Sequence, residues 1–598
     1  MKTAPAQDLS FVELLNAATW LGLSAGTVEF LVRTEPRLGL GFFDQLSFCS
    51  MAMGTNLGVA LLAACVASLT TKIPYLGKRK IGFIVGSLLG LHTALYYRFA
   101  VVLNESLRSP ILLIGLGALF CMGMLVGVTF NKHIAPRVRW AGVVGLLCFW
   151  GGFVRGLPAG PSQTSDGPNV LLITWDTTRP DRLQPYGGPA KTPVLQRLAD
   201  EGARFEQAIA PAPLTEPSHL ALLTGNRTTT TGILSNGTKL GEQPAMVQWS
   251  FQQMDVRTGA VVSGFPLHGR YGWSEGWDVY DDDFGDVPGM HRLTLIKLVD
   301  EIFLPANTLR ERKGDSAVDR SLRFLKQHER GRWFLWVHFF DPHAPYEVSD
   351  LASAPTDGEP LELPGYWPPP HKAITSTDWL TQAYDDELAY TDQLTGELVS
   401  WLEVHELLDN TLVVMTADHG ESLTEHGVLF DHGDDLFDPS LRVPLILRGP
   451  GVEPGTVVPC QLSTIDVIPT IRQLAVLPTY ESDGAPFTEW LQGTVCSDRP
   501  VLSSTIGARF VEEPPVDLSL RTPEAKYIRM GQDRGERLYD LMQDPDESKD
   551  FAPERPEDVD LLAERMDSVL DGKEVILKGP EMDAQTLEAL RALGYVED

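Results

Sequence analysis

Cysteine is scarce in this chain of 598 residues, which contains six. They form no C-x-x-C pair and no Cys/His pattern with the spacing of a zinc site, so the sequence excludes the metal and redox sites that such patterns build. Cys460 and Cys496 are the only two that follow residue 157. A disulfide between them stays open, because spacing along the chain does not show whether two cysteines meet.

Basic residues are scarce over most of the chain. Residues 1–157 contain 13 Lys and Arg and 6 Asp and Glu, and subtraction from the totals of 49 and 79 leaves 36 basic and 73 acidic residues for the remainder. Such an acidic surface repels nucleic-acid phosphates, which excludes nucleic acid as a partner. The opposite charge balance of the two parts predicts that they lie in different surroundings.

Apolar runs close to the ~20 residues that cross a bilayer as a helix are confined to the first part. They cover residues 11–32, 46–69, 81–103, 111–130 and 140–154. A cleaved signal peptide has one short apolar core, so five successive runs predict a retained, all-α transmembrane bundle of five helices over residues 1–157. Buried core helices are the alternative interpretation.

The loops between these runs predict an orientation. Basic residues cluster in residues 72–80 and 132–139, and positively charged loops remain on the cytoplasmic side. An odd number of spans then exports the larger domain, which follows a Pro- and Gly-rich linker over residues 158–168. The predicted localisation is the cytoplasmic membrane, multi-pass, with this domain on the periplasmic or extracellular side.

Chemically reactive side chains follow three apolar runs that are typical of buried strands. These runs cover residues 169–175, 332–341 and 411–415. Asp176 follows the first, His343 the second, and Asp418 with His419 the third. Ligands bind at the carboxyl ends of strands in an open parallel sheet, so the pattern predicts an α/β fold with these residues at one site. For Asp176, capping of the next turn is the alternative.

A candidate nucleophile lies in residues 212–225, A-P-L-T-E-P-S-H-L-A-L-L-T-G. Pro217 suits the first position of a helix, and an apolar run follows it. Thr215 would then precede the helix, where its hydroxyl faces unpaired N–H groups and the positive end of the helix dipole. This position suits a nucleophile, and an ordinary helix cap is the alternative.

The loop after the third run, T-A-D-H-G-E-S-L-T-E-H-G-V-L-F-D-H-G, is rich in histidine and acidic residues. Glu421, His426 and His432 follow Asp418 and His419 there. A mixed oxygen and nitrogen set suits zinc or manganese. Elsewhere, His338 is interpreted as a core histidine and residues 281–283, three aspartates, as a solvated loop.

Taken in chain order, these motifs resemble the sulfatase family of the alkaline phosphatase superfamily, over about residues 169–552. The motifs are N-V-L-L-I-T-W-D-T-T-R-P-D, T-P-V-L-Q-R-L-A-D-E-G, T-E-P-S-H-L-A-L-L-T-G, D-P-H-A-P-Y, T-A-D-H-G-E-S-L-T-E-H-G, R-V-P-L-I-L-R-G-P-G, S-T-I-D-V-I-P-T and K-Y-I-R with L-Y-D-L-M-Q-D-P-D-E. The resemblance implies an α/β sandwich with a mainly parallel central sheet over residues 169–475. A small C-terminal α+β piece over residues 476–598 completes the implied fold.

The chain departs from the sulfatase pattern at its most reactive position. Sulfatases place a Cys or Ser where this chain has Thr215 and oxidise it to a formylglycine aldehyde. The same oxidation of threonine would give a ketone, so we expect no formylglycine. His219 replaces the Arg of the motif, and Thr177 replaces the second Asp that commonly follows Asp176.

Superfamily members that keep a Thr nucleophile include phosphoethanolamine transferases and lipoteichoic acid synthases, which also have five membrane helices. The resemblance implies a divalent metal ion held by Asp176, Thr215, Asp418 and His419, with zinc or manganese expected and calcium or magnesium as alternatives. The histidines on the substrate side would be His343 and His432. Three further residues would contact the metal ligands or the substrate: Glu421, His219 and His426.

The sequence thus predicts a metal-dependent hydrolase or transferase that attacks phosphoesters through Thr215, with a membrane lipid or envelope glycan as substrate. The alternatives are a sulfuric ester hydrolase without formylglycine, and a pseudoenzyme that binds glycan or lipid. The pseudoenzyme is supported only by two departures from the sulfatase motifs: the missing Arg at His219, and the Lys-containing G-K-W-H motif of arylsulfatases, which has no match around residues 264–271.

Overall fold

The computed structural model of the protein describes residues 167–241, 246–284, 311–493, 495–506, 515–532 and 534–570. The five predicted membrane helices, residues 1–157, lie outside the described residues, as does nearly all of the predicted linker. The domain boundaries at residues 157, 168 and 475 stay predictions.

A nine-stranded sheet lies at the centre of the described structure. Its strands are β1 (Asn169–Trp175), β2 (Ala203–Ile209), β3 (Arg257–Val261), β4 (Val279–Asp281), β5 (Trp333–Phe339), β6 (Thr411–Ala417), β7 (Arg442–Val443), β8 (Leu445–Arg448) and β9 (Thr456–Ser463). Neighbours in the order β4-β3-β5-β1-β6 are parallel, whereas β8 is antiparallel to both β6 and β2. β7 is also antiparallel to β2, and β9 adds a parallel strand beside β2. The predicted α/β core with a mainly parallel sheet is confirmed.

Strand β1 lies between β5 and β6 inside the sheet, as its composition predicts. Every residue of it is buried. Val170 and Leu172 belong to the core on one face of the sheet, and Leu171, Ile173 and Trp175 belong to the core on the other. Successive side chains of a strand point to opposite faces, so an apolar strand of this kind requires cover on both sides.

Helices supply that cover. The helices of the described residues are α1 (Pro193–Asp200), α2 (Thr215–Thr224), α3 (Thr228–Thr231), α4 (Val247–Gln252), α5 (Gly314–His328), α6 (Thr377–Val404), α7 (Asp438–Leu441), α8 (Val467–Leu474) and α9 (Pro556–Leu570). Apolar side chains of α2, α4 and α8 pack into one core, and those of α1, α5 and α6 pack into the other. The sheet is therefore sandwiched between two helical layers.

A second, smaller sheet follows in the chain. It is antiparallel, with the order β10 (Val501–Thr505), β11 (Asp517–Arg521), β12 (Ala525–Met530) and β13 (Gly535–Asp540). Helix α9 packs on it through Val559, Leu562 and Met566. Lys526 of β12 joins this piece to the main core, because its buried ammonium contacts the carboxylate of Asp438 at 2.6 Å.

No helix among the described residues is long and apolar enough to cross a membrane. The longest of them, α6, has 28 residues. Its buried positions include the acidic side chains Asp385, Glu387 and Asp392. Charged side chains of this kind are costly inside the hydrocarbon of a bilayer. The apolar side chains of α6 instead pack in the core that it shares with α1 and α5.

The run of three aspartates at residues 281–283, predicted as a solvated loop, is buried instead. Asp281 closes β4, and its carboxylate accepts hydrogen bonds from Arg312 at 2.6 Å and from Arg320 at 2.9 Å. Both arginines are distant in sequence. The prediction was wrong because a local charge pattern does not contain the partners that neutralise it.

The two cysteines of the described residues form a disulfide. Cys460 belongs to β9, Cys496 precedes β10, and 36 residues separate them along the chain. The bond thus joins the edge of the central sheet to the segment that leads into the small sheet.

We expect Cys460→Ser to lower the free energy of unfolding by about 2 to 4 kcal/mol, because the disulfide restricts a loop of this length in the unfolded chain. Urea unfolding followed by circular dichroism measures the change. A reductant should destabilise the native protein by a similar amount and leave Cys460→Ser unaffected. Equal sensitivity of both proteins to the reductant would contradict the assignment.

Candidate active site

The candidate nucleophile Thr215 is the first residue of α2, and its buried hydroxyl has no hydrogen-bond partner. The sequence predicted a helix that begins two residues later, with Pro217 in its first position. Pro217 is instead the third helical residue, which is tolerated because the N–H groups of a first turn have no partner inside the helix. The hydroxyl therefore lies at the positive end of a ten-residue helix.

Two residues in the first turns of α2 connect the helix to the loop that follows β6. The Ser218 hydroxyl donates to the carbonyl of Asp418 at 2.6 Å. His219 Nδ1 lies 2.8 Å from the carbonyl oxygen of Thr215 and 3.5 Å from Asp418 Oδ2. Thr215 thus lies within about one helical turn of residues that contact Asp418.

The register of the sheet brings Asp176 and Asp418 together. β1 and β6 are parallel neighbours in which Trp175 is paired with Ala417, so the next residue of each strand is an aspartate. The Asp176 N–H donates a hydrogen bond to the carbonyl of Phe339 at 2.9 Å, which fixes the backbone at this position. Both carboxylates are buried. The sequence predicted this placement, and the structure brings the two side chains to one edge of the sheet.

His419 is fixed in one tautomer. Its Nδ1 lies 2.8 Å from the carbonyl oxygen of Gly420, which can only accept, so Nδ1 carries the hydrogen. Nε2 is left with a lone pair, 3.7 Å from Asp176 Oδ1 and 3.5 Å from Asp418 Oδ2. This is the state in which histidine binds a metal ion.

Gly420 has a steric role that differs from the predicted one. The sequence suggested that this glycine relaxes the backbone. A Cβ at residue 420 would instead lie 2.0 Å from the carbonyl oxygen of Pro439. The Gly420 N–H also donates to the Ser440 carbonyl at 2.9 Å. The loop that carries Asp418 and His419 therefore packs directly against the chain around α7.

Four buried polar atoms around this point have no hydrogen-bond partner: Asp176 Oδ1, Thr215 Oγ1, Asp418 Oδ2 and His419 Nε2. Ligand atoms of Asp176, Asp418 and His419 all lie within 4.8 Å of one another. Leaving such groups buried without a partner is costly, and three oxygens and one nitrogen match the ligands of a divalent ion. The residues present thus fit the metal site that the sequence predicted.

A second set of three, His219, His338 and Asp418, also has its ligand atoms within 4.8 Å. Its imidazoles are occupied, however. His219 Nδ1 donates to the Thr215 carbonyl, and His219 Nε2 lies 3.0 Å from the Thr174 hydroxyl. His338 Nδ1 accepts from the Ser263 N–H, which leaves Nε2–H to donate to Asp176 Oδ2 at 3.2 Å. Only the first set therefore offers lone pairs for a metal ion.

The electrostatics of the first set agree with this assignment. Burial raises the pKa of Asp176 well above its ordinary value, and the nearby Glu421 raises it further. Burial and the charge of Asp176 both raise the pKa of Asp418. Burial lowers the pKa of His419 well below its ordinary value, so that imidazole is neutral. Two buried carboxyl groups beside a neutral histidine lack a positive charge, which a divalent cation would supply.

The two predicted substrate-side histidines lie next to this set. The rings of His343 and His432 are 5.0 Å apart, and the ring of His432 is 4.5 Å from that of His419. Glu421 Oε1 lies 3.5 Å from His432 Nδ1. Burial lowers the pKa of His343 to about 3 and that of His432 to about 4, and raises the pKa of Glu421 to about 7.

His426 is the one predicted site residue that the structure places elsewhere. It lies in an exposed turn, where its ring stacks on Phe437 at 3.7 Å. The sequence gave no signal against it, because all histidines of the loop have similar neighbours. Conversely, the interpretation of His338 as a core histidine was incomplete, since its ring holds Asp176 in position.

The turn after Asp176 contains further residues that sequence reasoning missed. Thr177 has φ 48°, a conformation that is unfavourable for a β-branched residue. Its hydroxyl donates to the Pro342 carbonyl at 3.0 Å, and its carbonyl accepts from the Tyr384 hydroxyl at 2.7 Å. The Arg179 guanidinium donates to the Glu421 carbonyl at 3.2 Å. The bond from Arg179 to Glu421 therefore connects the loop after β1 to the loop after β6.

A family model described as Sulfatase matches residues 168–477, which is more than half of the chain and includes every residue of the site. The chain belongs to the sulfatase family. Members of this family are metal-dependent hydrolases, so the prediction of an enzyme is confirmed.

Relatives with established names support the assignment. Choline-sulfatase of Rhizobium meliloti is 25% identical over 447 residues, which cover 65% of this chain and 83% of the relative. Arylsulfatase K of Mus musculus is 26% identical, over 68% of this chain and 80% of the relative. The phosphonate monoester hydrolase of Agrobacterium radiobacter shares the fold, with a TM-score of 0.52 at 20% identity over 68% of this chain and 96% of that one.

The predicted localisation, a multi-pass protein of the cytoplasmic membrane with a periplasmic catalytic domain, was wrong. No described helix could cross a membrane, and these relatives are named as sulfatases. The prediction depended on apolar runs, which buried helices of large proteins also contain. The runs themselves lie outside the described residues.

We expect Asp418→Asn to abolish the stabilisation of the sulfatase by a divalent metal. In the native protein, zinc or manganese at a hundred times its Kd should add about 2.7 kcal/mol to the free energy of unfolding. Burial raises the pKa of Asp418 in the native state, so this carboxyl lowers the free energy of unfolding at every pH above its ordinary pKa. The neutral amide of the variant removes that cost. The metal-free variant should therefore melt above the metal-free native protein.

Thermal unfolding with and without metal, together with metal analysis of the purified protein, measures both effects. His426→Ala is the matched control, because this exposed ring lies outside the site and should leave the metal response unchanged. An equal metal response in Asp418→Asn and the native protein would contradict the assigned ligands.

Proposed function

We propose that this sulfatase-family enzyme hydrolyses phosphoesters with the unmodified hydroxyl of Thr215 as its nucleophile. The observation that carries the proposal is the Thr215 hydroxyl, which is buried without a partner at the start of α2, next to the residues that contact Asp418. A threonine that served only as a helix cap would bond to a backbone N–H of the first turn, and the Thr215 hydroxyl makes no such bond.

Threonine also constrains how the reaction ends. The hydrate of formylglycine carries two hydroxyl groups on one carbon, whereas Thr215 has one. An adduct on Thr215 must therefore be released by water that attacks the transferred group. The reverse of an in-line displacement at phosphorus meets this requirement.

The side chains of the site have different roles in the reaction. The ionised Thr215 attacks phosphorus, and the positive end of α2 stabilises the negative charge that develops on the ester oxygens. His343 or His432 gives a proton to the leaving oxygen and takes one from water in the second step. A divalent ion held by Asp176, Thr215, Asp418 and His419 would lower the pKa of the threonine hydroxyl and neutralise ester oxygens.

Thr215→Ala should lower kcat/KM by about 10³-fold or more, because it removes the nucleophile. Thr215→Ser is the matched control and should keep activity within about tenfold, since it retains the hydroxyl. With the native protein and a rapidly quenched substrate, intact mass should reveal a phosphorylated adduct on the peptide that contains Thr215. Full activity of Thr215→Ala, or a ketone at this position in the native protein, would refute the proposal.

Hydrolysis of sulfate esters by the same threonine is the second candidate, and the names of the sulfatase relatives favour it. A lipid or an envelope glycan as substrate stays a prediction for either chemistry.

Parallel assays of p-nitrophenyl phosphate, bis(p-nitrophenyl) phosphate and p-nitrophenyl sulfate distinguish the two candidates. We expect kcat/KM to be highest for a phosphate ester, because a phosphorylated threonine can be hydrolysed by the route that formed it. Thr215→Ala provides the background rate for each substrate. A higher kcat/KM for the sulfate ester would favour the sulfatase chemistry instead.

A further inference from the structure

A chain of three side chains leads from the core to the substrate-side histidines. The Tyr346 hydroxyl donates to Glu421 Oε2 at 2.6 Å, and Glu421 Oε1 lies 3.5 Å from His432 Nδ1. Tyr346 is 2% exposed, Glu421 is fully buried, and the side chain of His432 is 3% exposed. The chain ends at an imidazole whose ring is 4.5 Å from that of the metal-ligand candidate His419.

The inner end of this chain is rigid. The ring of Tyr346 packs edge-on against Trp367 at 5.5 Å, and a tilted contact joins it to the ring of Tyr384 at 5.6 Å. Glu421 is held at its backbone as well, because its carbonyl accepts from Arg179 at 3.2 Å. The Tyr346 hydroxyl therefore fixes one oxygen of Glu421 and thereby directs the other toward His432.

His343 is held differently. Its Nδ1 lies 2.6 Å from the carbonyl oxygen of Ala344, and its ring stacks on Phe340 at 4.3 Å. The charge of Glu421 also raises the pKa of this imidazole. The carboxylate oxygen Oε1 of Glu421 lies on the Nδ1 side of the His432 ring.

We propose that Tyr346 and Glu421 are positioning residues that orient His432 for proton transfer at the leaving oxygen. The inference rests on the proposed function. As the bond between phosphorus and the leaving oxygen breaks, its electron pair stays on that oxygen, which takes a proton from Nε2 of His432. The negative charge of the bound ester favours the protonated ring that this step needs. When water attacks the threonine adduct, neutral His432 accepts a proton from that water, and the cycle closes.

Tyr346→Phe and Glu421→Gln test the proposal because both keep the size of the side chain. The matched substrates are ethyl phosphate and p-nitrophenyl phosphate, or the corresponding sulfates if the native protein prefers them. The ethyl ester needs protonation of its leaving oxygen, whereas nitrophenolate departs without it. For both variants we expect kcat/KM, which reports the steps up to release of the leaving group, to fall about 10- to 100-fold on the ethyl ester and to change less than about threefold on the nitrophenyl ester.

Tyr384→Phe is the matched control, since this neighbouring tyrosine bonds to the turn after Asp176. It should slow both esters equally, because that turn positions the nucleophilic step. Circular dichroism and metal content verify that each variant is folded and loaded.

Equal losses on both esters in Tyr346→Phe, with the native protein active, would overturn the positioning role and leave the proposed function intact. Activity of Thr215→Ala, or no turnover of any ester by the native protein, would overturn the proposed function and this inference with it.

Discussion

Two buried carboxylates at the ends of adjacent parallel strands impose the constraint on which the rest of the site depends. The register of β1 and β6 places Asp176 beside Asp418, and both lie in the interior where like charges repel strongly. Such a pair persists only if a cation balances it or if protons do. The neutral His419 and the hydroxyl of Thr215 complete a ligand set for that cation, and His338 and Thr177 hold the turn in the geometry it requires.

The departures from the sulfatase pattern are consistent with this arrangement. His219 occupies the place of a motif arginine, but it is neutral and serves as an internal brace between α2 and β1. Thr177 occupies the place of a second aspartate, and its hydroxyl bonds to a backbone carbonyl. Each change removes a charged group from the site. The remaining donors are fewer and include a nitrogen, which favours zinc or manganese over calcium.

Local sequence patterns predicted the site residues that follow strand ends. The roles of the other site residues depend on contacts between segments that are distant in sequence. Asp176, Asp418 and His419 were predictable because an apolar run followed by polar residues implies the carboxyl edge of a parallel sheet. Thr177, Tyr346 and Tyr384 were not, because their roles come from hydrogen bonds to residues far away in sequence. Asp281 was misinterpreted for the same reason, since its two arginine partners lie on other segments. The apolar runs of residues 1–157 gave a localisation that the comparisons contradict, which shows the limit of hydropathy without a fold.

The hydrogen bonds that hold the loops after β1 and β6 affect the energetics of turnover. Tyr384 holds the turn after β1, Tyr346 holds the loop after β6, and Arg179 joins the two loops. The dipoles of the site are thereby oriented during folding, before any ester arrives. An enzyme built in this way needs little reorganisation in its transition state, and its selectivity lies in the fit of a rigid site.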